Sequence, residues 1–159
     1  MKRIVYLIVT ACIVTALSAG TASANTLFFF ATDEICNVSA DWNDAFNLTI
    51  KVTQYDNQCL EMRFSTEAKL QTIDVAPFPI EFQAVVDGSP AFPNFPILFN
   101  TAIPDFYDST TFNWFVCGLN IGKHTVQIQY RPFFAGDTAC VQSGSLFMQL
   151  KSGKFPQAQ

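Results

Sequence analysis

The sequence predicts an all-β protein, two antiparallel sheets packed face to face as a jelly-roll-like sandwich, with an immunoglobulin-like sandwich as the alternative. Three observations predict it. Apolar and polar residues alternate with a period of two, turn-forming residues separate the alternating runs, and no stretch sustains a 3.6-residue period with helix caps.

The elements follow in chain order. An apolar strand near Leu27–Ala31 continues toward Val38. Phe46, Leu48, Ile50 and Val52 then alternate with Asn47, Thr49 and Lys51, and Leu60, Met62 and Phe64 with Glu61, Arg63 and Ser65. Thr66 to Val75 holds at most one helical turn. Ile80, Phe82, Ala84 and Val86 form the next inward row, and Asp87-Gly88 marks a tight turn. Pro90, Pro93, Pro96 and Pro104 keep Ser89 to Pro104 out of any central strand, because proline donates no ladder hydrogen bond; an edge strand near Pro96–Asn100 fits. Phe112, Trp114 and Val116 precede the turn Gly118 to Gly122. Val126, Ile128 and Tyr130 follow it, and Leu146, Met148 and Leu150 close the series after Ala135-Gly136-Asp137. About eight strands result, the number a two-sheet sandwich needs.

The chain divides into a leader over residues 1–24, a β-sandwich over 25–151 and a polar tail over 152–159. Lys2 and Arg3, an apolar run from Ile4 to Leu17, and the small residues Ala22 and Ala24 make a secretory signal; the apolar run is shorter than the ~20 residues of a spanning helix. The expected location is therefore secreted, periplasmic or extracellular, with no membrane span after the leader is removed. Of nine Lys and Arg, Lys2 and Arg3 leave with the leader, so 13 acids face seven bases, a formal charge of −6. Such a surface repels phosphate backbones, which excludes nucleic acid as a partner. Only 14 % of residues are charged and 50 % are hydrophobic, which excludes a disordered tail.

Cys12 also leaves, and Cys36, Cys59, Cys117 and Cys140 remain: an even set in an exported chain, read as two disulfides. Sequence allows three connectivities. Strand direction and phase favour Cys59–Cys117 with Cys36–Cys140 over Cys36–Cys59 with Cys117–Cys140, because Cys59 and Cys117 fall at one end of the sandwich and share the outward phase.

Candidate chemistry is sparse. His124, the only histidine, starts a strand on an inward phase; with no partner histidine and no nucleophile elbow it reads as structural. Asp41 with Asp44, and Asp105 with Asp108, read first as turn chemistry, second as calcium ligands, third as a hydrolase's acid and base. No other cofactor is called for. Asn37-Val38-Ser39 and Asn47-Leu48-Thr49 are glycosylation sequons, Asn47 on an outward phase. Among the 17 Phe, Phe115 and Phe147 fall on outward phases and form a candidate interface, while Phe92, Phe95 and Phe99 form a candidate ligand loop.

Leu119-Asn120-Ile121-Gly122-Lys123-His124-Thr125-Val126, with Val85-Val86-Asp87-Gly88 and Asp41-Trp42-Asn43-Asp44-Ala45-Phe46, resembles a pattern of small secreted bacterial β-sandwich proteins without assigned activity. Their outline is similar to the C1q and tumour-necrosis-factor jelly roll. The four cysteines and the Phe-Pro loop depart from that pattern, and the resemblance implies no catalytic residue. Together these readings give an exported, disulfide-stabilised, non-catalytic binding or assembly module, a homo-oligomer joined through Phe115 and Phe147 or a binder of an extracellular protein or glycan. The alternatives are a self-assembling surface protein and an extracellular hydrolase. One competing expectation has Leu27–Ala31 folding over Phe115 and Phe147 within a single subunit.

Overall fold

The computed structural model describes residues 26–53, 58–71 and 78–152; the expected leader, residues 54–57 and 72–77, and residues 153–159 lie outside them. Ten strands follow one another: β1 (Thr26–Ala31), β2 (Ile35–Asn37), β3 (Asn43–Val52), β4 (Gln58–Gln71), β5 (Phe78–Val86), β6 (Ser89–Pro90), β7 (Ile97–Thr101), β8 (Asp108–Leu119), β9 (Gly122–Pro132) and β10 (Thr138–Ser152). The described residues contain no helix. Thr66–Gln71, read above as a helical turn, extends β4, while residues 72–75 are not described. The last strand also takes in Ser152, the first residue of the expected tail.

One sheet runs β1-β10-β4-β8, with β2 also on β10; the other runs β3-β9-β5-β6, with β7 also on β5. Both β1 and β2 lie along the same neighbour, and so do β6 and β7, so each pair is one interrupted edge strand. Numbered through as eight, the strands fall in the orders 1-8-3-6 and 2-7-4-5, which is the jelly-roll arrangement. The immunoglobulin-like alternative is corrected here: it places the first two strands side by side, whereas this chain crosses from one sheet to the other after β2.

The alternation read from sequence fills the space between the sheets. Phe46, Phe64, Phe82, Phe112, Trp114 and Tyr130 are all buried, with Phe46–Phe64 ring centroids 5.8 Å apart, Phe82–Phe112 4.5 Å and Phe112–Trp114 5.5 Å. Each buried ring is worth roughly 1.5–3 kcal/mol in transfer from water, and well-set ring pairs add about 0.5–1.5. The Tyr130 hydroxyl donates to the Ile35 carbonyl (2.8 Å) and accepts from Asn43 (3.3 Å), tying β9 across to β2.

Two irregularities position the surfaces discussed below. The β10–β4 ladder shifts register between Gln142 and Ser145, where Ser143 takes φ +50°. Gly144 there lies against the core: a Cβ would come within 3.1 Å of the Phe46 ring and 3.3 Å of the Phe64 ring. At the opposite edge, Phe92 exchanges two backbone hydrogen bonds with Phe115 (2.9 and 3.0 Å), linking the β6–β7 connection of one sheet to the free edge of β8 in the other.

Candidate functional site

The four cysteines are paired across neighbouring strands, Cys36–Cys140 between β2 and β10 and Cys59–Cys117 between β4 and β8, each directly opposite in register. Cys140 lies inside β10, whose start the register shift at Gln142–Ser145 hides in the sequence pattern. Beside Cys36, Glu34 receives hydrogen bonds from the Tyr107 hydroxyl and from Lys69, whose ammonium lies 2.9 Å from Glu34 Oε1 and 4.5 Å over the Tyr107 ring. The Tyr107 hydroxyl and Lys69 hold the Glu34 carboxyl below its ordinary range, and Glu34 in turn holds Lys69 up. Among the described residues, the group with metal-ligand spacing is Glu34, Cys36 and Cys140, and its two sulfurs are bonded to each other.

His124 is fully engaged. Its Nδ1 lies 2.6 Å from Asp87 Oδ2 and its Nε2 donates to the Asn120 carbonyl at 2.8 Å, while the other Asp87 oxygen accepts from the Thr125 N–H at 2.9 Å. A carbonyl only accepts, so Nε2 carries a proton, and the carboxylate favours a second one on Nδ1. The Asp87 hydrogen bond accordingly raises the His124 pKa. Burial pushes Asp87 up, but His124 and the Thr125 amide outweigh it and the net shift is downward. The cluster clamps the Asp87-Gly88 hairpin, both of whose residues have positive φ (50° and 78°), to the β8–β9 turn.

Three of the four paired carboxylates, those of Asp41, Asp44 and Asp108, accept hydrogen bonds from neighbouring groups. Asp41 accepts from Ser39 (3.1 Å), and Asp108 accepts from the Ala102 N–H (2.6 Å). Asp105 occupies a turn at φ +63°, its N–H on the Leu70 carbonyl. Asp44 takes amide N–H groups from Asn47 (2.9 Å), Gln127 (3.2 Å) and Gln129 (3.0 Å). The sequons separate clearly. Asn37 is buried, donating to the Asp41 carbonyl (2.7 Å) and accepting from the Ser39 N–H (3.0 Å), whereas Asn47 is exposed on β3.

The aromatic residues divide into two groups. Phe92, Phe95 and Phe99 do not form one platform: Phe99 belongs to β7 and packs on the core edge-to-face with Phe112 (6.3 Å), Phe92 lies against Phe115 (4.6 Å), and Phe95 is exposed. Phe115 and Phe147 lie on the outer face of one sheet, with β4 between their strands. Strand β1 does not fold over them; it pairs in plane with β10, putting Phe28 beside Phe147. Phe28 and Phe30 pack together (4.4 Å) and remain 46 % and 58 % exposed. This outer face therefore carries Phe28, Phe30 and Phe147 toward one edge and Phe115 with Phe92 toward the other, about a middle held by the Glu61–Lys151 pair and by Arg63 bonded to Asn113 (3.1 Å). Sequence reasoning missed Phe28 and Phe30, since the unbroken apolar run Leu27–Ala31 has no alternation from which to assign a phase. The other sheet's outer face is of a different kind, lined by Gln83, Gln127 and Gln129.

No helix among the described residues is long and apolar enough to cross a membrane. No protein-family model matches the chain, and no curated protein sequence does. Among solved structures, the chain is similar to the VP2 protein of an infectious bursal disease virus subviral particle, at 14 % identity over 96 % of this chain and 38 % of that one, with a TM-score of 0.53. Lower scores relate it to a sugar-binding EclA C-terminal domain (8 % identity, 82 % of each chain, TM-score 0.42) and to a family two carbohydrate esterase from Cellvibrio japonicus (17 %, 84 % and 37 %, 0.29). The chain thus spans well under half of VP2, and what the two have in common is the β-sandwich fold.

Proposed function

We propose that this protein is an exported, non-catalytic assembly module whose copies associate through the outer face of the β1-β10-β4-β8 sheet. The observation that carries the proposal is the gathering of five phenylalanines, Phe28, Phe30, Phe92, Phe115 and Phe147, on one sheet face. The area is adequate. At about 3.3 Å along and 4.8 Å across per residue, the strands of this sheet cover roughly 800 Å², matching the ~800 Å² per partner of an ordinary stable interface. Charge does not oppose the contact: Glu61, Glu67 and Glu34 are matched by Arg63, Lys69 and Lys151 on or beside this face.

The magnitudes predict a concentration-dependent assembly. Phe28, Phe30 and Phe92 are each about half exposed. Burying what remains gains on the order of 1 kcal/mol per ring, hence about 6 kcal/mol for two copies, comparable with an association cost of about 4–15. Light scattering should return a multiple of the monomer mass at high micromolar concentration, little changed by 1 M salt because the contact is apolar. Phe28→Ser with Phe30→Ser, which disturbs only exposed rings, should return the monomer mass with unchanged far-ultraviolet circular dichroism. A wild-type chain monomeric at that concentration, or a double variant of wild-type mass, contradicts the proposal.

A further inference from the structure

We propose that the outer face of the second sheet, centred on Asp44, Gln83, Gln127 and Gln129, is a binding site for a neutral saccharide chain. The site is independent of the assembly face, being on the opposite side of the sandwich. Asp44, Gln129 and Gln83 are consecutive residues of one row across β3, β9 and β5. Gln83 Nε2 donates to Gln129 Oε1 at 2.8 Å, and Gln129 Nε2 donates to Asp44 Oδ1 at 3.0 Å. From the next row, Gln127 and Asn47 donate to the same carboxylate. One row over, Arg131 is fixed by Glu81 (2.5 Å) and the Ala40 carbonyl (3.2 Å), with its guanidinium 4.4 Å over the ring of half-buried Trp42.

Holding three long amide side chains in one array costs rotamer entropy, which half-buried hydrogen bonds worth about 0.5–1.5 kcal/mol each do little more than offset. Such an array does not follow from stability alone, but it suits recognition, because its donors and acceptors are already placed when the ligand arrives. Its chemistry selects the ligand class. Each amide has two N–H groups, and the bonds from Gln83, Gln129 and Asn47 use one of each pair. The row therefore offers further N–H donors alternating with carbonyl and carboxylate acceptors over about 10 Å, three strands wide. Hydroxyl groups, which donate and accept at once, match that alternation. Anions are repelled by Asp44, whose partners are neutral amides; Glu81 is neutralised by Arg131, and cations find the Asp44 oxygens already occupied by amide N–H groups.

The test is affinity electrophoresis of the full mature chain through gels containing hydroxyethyl-cellulose, galactomannan, laminarin or glycol chitin. At least one polymer should retard the protein, and 1 M salt should leave the retardation in place because the ligand is neutral. Gln83→Ala with Gln129→Ala should weaken binding about tenfold or more, as loss of two hydrogen bonds implies. Thr111→Ala, on the other sheet's face, should bind as wild type. Gln129→Glu, which keeps the side chain's size and sets a second carboxylate beside Asp44, should weaken binding likewise, and it decides the matter should the double alanine variant fail to fold. No retardation by any of the four polymers, retardation that survives the double alanine or Gln129→Glu change, or retardation abolished by salt overturns the proposal.

Discussion

At His124 two shifts favour one ion pair, and their signs define a pH window. The His124 pKa is raised above its ordinary 6.5, so the pair's contribution is fully present below that value and is lost as pH climbs through the raised folded value. The Asp87 pKa is lowered from 3.8, so the contribution is present above 3.8 and is lost as pH falls through the lowered folded value. His124→Gln should therefore lower the melting temperature most near pH 5 and least near pH 9, as read by thermal unfolding across that range. A deficit that is equal or larger near pH 9 contradicts the protonated clamp. The side chain of Asp87 is 48 % exposed, so the effect should also shrink in high salt. Sequence placed His124 at a strand start as a structural residue, but its partners were hidden: Asp87 is 37 positions away and meets it only when β5 and β9 pair.

At the scale of the strand, the two disulfides staple neighbours in the same sheet, closing loops of 104 and 58 residues. In the chain-entropy picture loops of this size each stabilise by about 4–5 kcal/mol, with typical measured losses of about 2–5. Thiol titration of denatured mature protein should find no free thiol. Replacing Cys59 and Cys117 together with Ser should cost several kcal/mol in denaturant unfolding, with a measurable further loss when Cys36 and Cys140 are replaced as well. Two or more titratable thiols, or a four-serine variant as stable as wild type, contradict this. How much was legible depended on local regularity. Inward Phe46, Phe64, Phe82, Phe112 and Trp114 could be read from alternation because each strand keeps its period through them. The start of β10 could not, since Ser143 and Gly144 break the period and put Ala139 and Cys140 out of phase with Leu146. The edge strand expected near Pro96–Asn100 is β7, Ile97–Thr101, and it carries Phe99 onto the core and away from the ligand loop to which it was also assigned.

At the scale of the molecule, the jelly roll turns one sequence into two chemically distinct faces. Alternation reveals that Phe115, Phe147, Gln83, Gln127 and Gln129 point outward; it does not say which share a face. That depends on the interleaved order of the strands, which brings β1 beside β10 and lines up Asp44, Gln129 and Gln83, residues from three separated segments. The central claim is that copies meet through the phenylalanine face, and a distance between copies tests it most directly. Arg63→Cys puts a spin label at the middle of that face and Thr49→Cys puts one on the opposite sheet. With packed sheets about 10 Å apart, labels at residue 63 in two face-to-face copies should be closer than labels at residue 49 by about 20 Å. A dipolar distance at position 49 equal to or shorter than that at 63, or no intermolecular coupling at either, would contradict the account.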